Sequence, residues 1–338
     1  MSLSSLLPDP FVPMLLGSVA LAALLPVQGD AAQAVKLLTS VGVAWLFFLH
    51  GAKLSRQAVV QGLLHWRLHL SVLLATFALF PLLGLAMMPW LSAQLGPTLT
   101  LGVLFLCALP STVQSSIAFT SMARGNVAAA VCSASLSNVL GVALTPLLMV
   151  LLAHGLPTAA TGGSPPGLSW HSVQGIVVQL LLPFVAGQIA QPWLGGWVQR
   201  HRGVLKFLDQ GTILLVVYAA FSEAVVQGLY RSLGWQTLGT LFGVCAVLLA
   251  AVMLLLVHGS RALGFAEADR IALVFCGSKK TLASGVPMAQ ILFAGQPLGL
   301  LVLPIMLFHQ MQLMVCAVLA QRMGRRGAEA DAEASERP

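Results

Sequence analysis

Lys279 and Lys280 are the residues of this chain whose type and setting point most directly to chemistry. They stand in Phe275-Cys276-Gly277-Ser278-Lys279-Lys280-Thr281-Leu282-Ala283-Ser284-Gly285-Val286-Pro287, inside an apolar run from about Ile271 to Phe293. A run of that length spans a bilayer. A lysine at the centre of a span costs about 2.5–3.5 kcal/mol on insertion, whereas each Leu, Ile, Phe or Val returns about 0.3–0.6. The pair therefore cancels roughly ten good apolar residues. Gly277, Gly285 and Pro287 bracket it, so a break in the helix is expected there. Irregular backbone at membrane depth is tolerated only where it is buried in protein or lines a wet cavity. An intramembrane charge points to a substrate or ion path. On an unbroken helix the two lysines would diverge by about 100°; unwinding at Gly277-Ser278 lets both reach the centre, with Thr281 beside them. The alternative is that one of them snorkels to an interface.

A second polar interruption lies about half the chain earlier, at Ala108-Leu109-Pro110-Ser111-Thr112-Val113-Gln114-Ser115-Ser116. Pro110 removes a helical hydrogen bond and frees a carbonyl. Ser111, Thr112, Gln114, Ser115 and Ser116 then supply hydroxyls and an amide. One reading is a proline kink patched by hydroxyls. The other is a site of dipoles with a half-helix N-terminus aimed at an anion. Glu223 is the one carboxylate well inside an apolar run. It is either an interfacial acid or a counter-ion and proton carrier for the lysines. Asn138, with Ser133, Ser135 and Ser137, makes a polar stripe that serves either the site or close helix packing. His50 and His258 fall at helix ends and read as interfacial, and Gln188 and Gln290 as links between helices.

These residues need long apolar elements to position them, and the composition supplies little else. Of 338 residues, 58% are hydrophobic and 8% charged, against about 25% charged in soluble domains. The chain reads as an all-α integral membrane protein. The net charge of +7 comes in twos and threes between apolar runs, which is topology signal and not a nucleic-acid patch. The five cysteines fall inside apolar runs without metal-ligand spacing and read as buried small side chains. Apolar runs near 11–25, 37–52, 68–89, 98–121, 127–153, 171–191, 204–228, 236–258, 270–293 and 298–321 predict ten transmembrane helices, with nine as the rival count. Lys and Arg cluster in alternate connections, which predicts both termini in the cytoplasm of an inner (plasma) membrane protein.

Five runs precede the uncharged stretch at 154–170 and five follow it. An odd number per half inverts the second half relative to the first, the plan of many secondary transporters, whose interrupted helices mark the binding site. The domains expected are a first five-helix repeat at 1–153, the connecting loop at 154–170, a second repeat at 171–326 and a disordered tail at 327–338.

Phe47-Phe48-Leu49-His50-Gly51-Ala52-Lys53-Leu54, the Leu109–Ser116 break running into Ala123-Arg124-Gly125-Asn126, and the Phe275–Pro287 segment together resemble the bile acid:sodium symporter family, in its divergent branch typified by sodium/bile acid cotransporter 7. The resemblance covers nearly the whole chain, to about Arg326. It implies ten helices in two inverted five-helix repeats. A panel would move against a core in which the broken fourth and ninth helices cross. It also sets Ser115 and Ser116 on sodium-ligating positions, but puts Ala130 and Ala134 near two others. Phe275 falls where a Glu ligand belongs, and Lys279 where a Gln ligand belongs. A charged lysine repels Na⁺ severely at low dielectric, so these positions argue against sodium there. The expected function is alternating-access transport of a small organic anion within the lipid bilayer. Lys279 or Lys280 would be the fixed positive charge, and the coupling ion would be H⁺, Na⁺ or none. No other cofactor is implied. A non-transporting membrane regulator is the alternative. A retinal-type Schiff base is disfavoured by the number of spans, and an intramembrane hydrolase by the missing motifs.

Overall fold

The computed structural model describes residues 11–53, 65–153, 178, 181–226, 228 and 233–335. The connection at 154–170 and the first turns of the sixth apolar run lie outside these residues. Among the described residues all regular structure is helical. In chain order the helices are α1 (Phe11–Leu24), α2 (Gly29–Lys53), α3 (Trp66–Leu74), a π turn (Ala75–Leu79), α4 (Phe80–Ala108), α5 (Gln114–Met122), α6 (Val127–Ala153), α7 (Leu182–Arg200), α8 (Arg202–Val226), α9 (Trp235–Ala262), α10 (Glu267–Gly277), α11 (Leu282–Leu292) and α12 (Leu298–Ser335).

Among the described residues six stretches are long and apolar enough to cross a membrane: Gly29–Leu49, Trp66–Ala108, Val127–Leu152, Gly203–Val226, Trp235–Ala262 and Leu298–Arg325. Leu16, Leu37, Leu147 and Leu254 are among the many large apolar side chains left exposed, as a lipid-facing surface requires. The Trp66–Ala108 stretch has 43 residues. At 1.5 Å per residue it would be roughly 65 Å long if straight, about twice a bilayer core. Gly96 divides it, with φ 72° and ψ 175° and Pro97 next in sequence. Gly264, just before α10, is likewise in the left-handed region at φ 69°. As many residues separate Gly96 from Gly264 as separate Gln114 from Leu282, the first residues of α5 and α11. Two segments, 96–122 and 264–292, thus each run from a left-handed glycine through a helical stretch, a break and a second helix.

Gly285 and Pro287 lie inside α11, not in the break, which is confined to Ser278–Thr281. A Cβ on Gly285 would come within 2.6 Å of Ile305 Cδ1 and 2.8 Å of Leu109 Cδ1; this glycine permits close packing, not unwinding. The backbone of α12 is helical through Ser335. The Ala, Glu and Arg that dominate its last turns are strong helix formers and prolong a helix already nucleated in the membrane.

Helices α1, α2, α7 and α8 pack mainly on one another, while α3 to α6 and α9 to α12 form a second group; α8 joins the two through α11 and α12. Gln290 on α11 donates to Thr39 Oγ1 on α2 at 3.0 Å, so a polar link also spans the groups. The α2–α7 crossing is set by glycine. A Cβ on Gly51 would collide with the Phe184 carbonyl, and one on Gly187 with that of Phe48. Gln188 donates to the Gly51 carbonyl at 3.0 Å. Gly187→Ala is expected to cost about 1–3 kcal/mol through overpacking, read as a lower thermal midpoint in detergent. Gly196→Ala is the control on the same helix, since its added Cβ meets nothing within 4 Å. Equal effects of the two changes would show that close approach does not set this crossing.

Candidate functional site

Two breaks cross in the second group of helices, and they touch through backbone. Thr281 N–H donates to the Pro110 carbonyl at 3.0 Å, an acceptor that lies in the break between α4 and α5. Ser111 N–H donates to Ser137 Oγ at 3.1 Å, and Asn138 Nδ2 donates to the Ser111 carbonyl at 2.6 Å. Thr145 Oγ1 donates to the Ala108 carbonyl at 2.9 Å. A Cβ on Gly141 would lie 2.6 Å from Pro110. Ser137 and Asn138 of the polar stripe of α6, with Thr145, satisfy the first break, while Gly141 lets it approach. The end of α10 is satisfied from the other break, with Ser111 Oγ donating to the Cys276 carbonyl and Ser116 Oγ to the Phe275 carbonyl at 3.0 Å. A helix end in a bilayer needs such partners, because no water supplies them.

The second break is held by α12. Gln312 accepts from Lys280 N–H at 2.8 Å through Oε1 and donates to the Lys280 carbonyl at 2.8 Å through Nε2. One amide side chain thus satisfies both backbone groups of Lys280, with His309 Nδ1 a further 2.9 Å from the same Nε2. The turn between α5 and α6 is tied down as well. Asn126 Nδ2 donates to Asp269 Oδ1 at 2.8 Å and Asn126 Oδ1 accepts from Ala129 N–H at 3.0 Å, an N-cap for α6. Arg124 there takes φ 61°.

Both lysines are 0% exposed, and neither snorkels. Their amines reach different partners. Lys280 Nζ donates to the carbonyls of Thr76 at 2.8 Å, Cys107 at 2.8 Å and Leu109 at 2.7 Å, and lies 4.1 Å from the centre of the Phe80 ring. Lys279 Nζ donates to one carbonyl, that of Ser115, at 2.8 Å. Its other neighbours are aromatic faces, Phe119 at 3.9 Å and Phe275 at 5.4 Å. An ammonium has three donors, so Lys279 keeps two that meet no conventional acceptor among the described residues. Around the breaks the buried hydroxyls of Thr112, Ser115, Ser278 and Ser284 also lack hydrogen-bond partners among the described residues. Gln114 opens α5 and is exposed, and Ser115 is half-buried.

A sequence model of the SBF-like CPA transporter family matches residues 9–325. The chain belongs to this family. It is 55% identical over its whole length to Uncharacterized protein PA2026 of Pseudomonas aeruginosa, covering 99% of that protein. It is 51% identical to the Escherichia coli protein named "Putative symporter YfeH", over 96% of each chain. It is 27% identical to Sodium/bile acid cotransporter 7 of Mus musculus, over 82% of this chain and 81% of the other. The resemblance to a divergent bile acid symporter branch therefore holds, and the chain is a multi-pass membrane transporter of this family.

The residues present do not fit a sodium ion at the positions the resemblance singles out. Ala130 and Ala134 are buried and offer no side-chain ligand. Phe275 presents a ring, and Lys279 puts an ammonium on the Ser115 carbonyl. The structure brings Pro110, Ser111, Thr112, Ser115, Ser116, Asn138, Gly277, Ser278, Lys279, Lys280 and Thr281 to the crossing. Glu223 is not brought there. It is exposed on α8, and both amines face carbonyls and rings instead, so its reading as their counter-ion is corrected. The sequence reading passed over Gln312, His309, Thr145 and the rings of Phe80 and Phe119. Gln312 carried a usable signal, an amide in the middle of an apolar run. The carbonyls of Thr76, Cys107 and Leu109 carried none, since every residue has one.

Proposed function

We propose that the protein is a secondary transporter of a small organic anion, working by alternating access, with Lys279 as the group that meets the anion and with no requirement for sodium. The observation that carries this reading is the unspent donor capacity of Lys279. It is fully buried, uses one of its three N–H groups on the carbonyl of Ser115, and the hydroxyl of that same Ser115 has no partner among the described residues. The first turn of α5 adds free N–H groups and the positive end of a helix dipole. An anionic oxygen entering past Gln114 and Ser115 would take up these donors in a low-dielectric setting, where charge-assisted hydrogen bonds are strong. In this reading the chain forms ten spans in two inverted five-helix repeats with both termini inside, in the plasma membrane. The α1, α2, α7 and α8 group is the panel against which the crossing moves. The matched left-handed glycines and breaks support the repeat.

Reconstituted into proteoliposomes, the protein should show saturable uptake and counterflow of small organic anions that are unchanged when choline replaces Na⁺. Strict sodium dependence unaffected by changing Lys279 would overturn the reading. Ligand binding without counterflow would favour a membrane regulator instead.

A further inference from the structure

The Lys280 amine differs from its neighbour in having nothing left to give. Three carbonyl oxygens surround it at 2.7–2.8 Å and the Phe80 ring covers one side at 4.1 Å. The stoichiometry fits the ammonium form. A neutral amine has two N–H groups and cannot donate to three carbonyls, whereas an ammonium matches them one for one. Each carbonyl is free for a local reason. Cys107 and Leu109 close the C-terminal end of α4, where the last carbonyls lack helical partners and the dipole is negative. Thr76 stands in the π turn, where the regular i to i−4 ladder is interrupted. Without a cation these dipoles would face one another across a dry cage with no donor to satisfy them.

We propose that Lys280 is a resident cation, covalently tethered, which occupies a carbonyl and aromatic cage built for a small ammonium ion and thereby holds the crossing of the two breaks without any ion from solution. The lysine joins three parts of the chain. Its amine ties the π turn to the end of α4, and its backbone is clamped by Gln312 of α12. The cage takes small cations, primary ammonium ions among them, because it presents acceptors only. This assignment does not rest on the anion-transport reading, and uptake is not its readout.

The test is chemical rescue of the full-length protein. Lys280→Ala removes the equivalent of an n-propylammonium ion and leaves the cage in place. Purified in detergent, this variant should unfold several degrees below the parent protein. It should recover at least half of that loss when n-propylammonium chloride is present throughout extraction and assay. Tetramethylammonium chloride at the same ionic strength, larger and without N–H donors, should give no recovery. Equal effects of the two salts would overturn the proposal, as would a Lys280→Met variant as stable as the parent. Should Lys280→Ala accumulate too poorly to purify, its yield in membranes from cells grown with n-propylammonium becomes the readout; recovery supports the cage, and no recovery overturns it.

Discussion

Lys279→Met is expected to lower anion uptake by about ten- to a hundredfold while leaving the protein folded. A hydrogen bond to a charged group contributes about 1.5–3 kcal/mol, and 1.4 kcal/mol is a factor of about ten. Methionine retains most of the buried stem and its contacts with Phe119 and Phe275, and sulfur against aromatic rings is itself favourable. It leaves one carbonyl, that of Ser115, without its donor, a modest structural loss. The effect should therefore fall on transport and not on the thermal midpoint. Lys279→Arg should not restore uptake fully, because a planar guanidinium does not fit where a fully buried ammonium is packed. Uptake in proteoliposomes and thermal unfolding, measured on the same preparations, separate the two effects. Normal uptake by Lys279→Met would remove Lys279 from the transport site.

Gln312→Leu should give the largest loss of stability of any single change on α12. It strands the Lys280 N–H and takes the nearer donor from the Lys280 carbonyl, which keeps only His309 Nδ1 at 3.5 Å, in a region where no water replaces the lost amide. Each stranded group costs about 1–3 kcal/mol, so a loss of roughly 2–6 kcal/mol is expected from the pair. The change should show as a strongly lowered thermal midpoint or as failure to accumulate in the membrane. Gln312→Glu is the informative partner. Its carboxylate still accepts from Lys280 N–H but no longer donates to the Lys280 carbonyl, so it should fall between the parent and the leucine variant. A Gln312→Leu protein with the parent midpoint would show that the second break is held by other contacts.

Much of the site was legible because charge in an apolar run has few explanations. The insertion cost of two lysines demanded compensation, and Pro110 and Gly277 marked where the backbone leaves the helix. Both expectations hold, with breaks at Leu109–Val113 and Ser278–Thr281. Gly285 and Pro287 misled, because a glycine or a proline in a sequence signals either a break or a close contact. Only the position of Ile305 and Leu109 against α11 distinguishes the two. Glu223 misled for a related reason. Depth along a span can be read from hydropathy, but the direction a helix faces depends on its neighbours.

By itself, the sequence determined that this chain is helical, lies in a membrane, breaks its helices at two polar places and carries two cations between them. Composition and insertion energy are sums over residues and need no coordinates. Only the tertiary structure decided which lysine does what. Neighbours in sequence, Lys279 and Lys280 have the same chemistry and the same burial. The difference lies in how many carbonyl oxygens converge on each amine, three for Lys280 and one for Lys279. Those oxygens belong to backbone groups far away in the chain, freed by a π turn and a helix end. Backbone acceptors are identical in every residue, so their convergence leaves no trace in the letters.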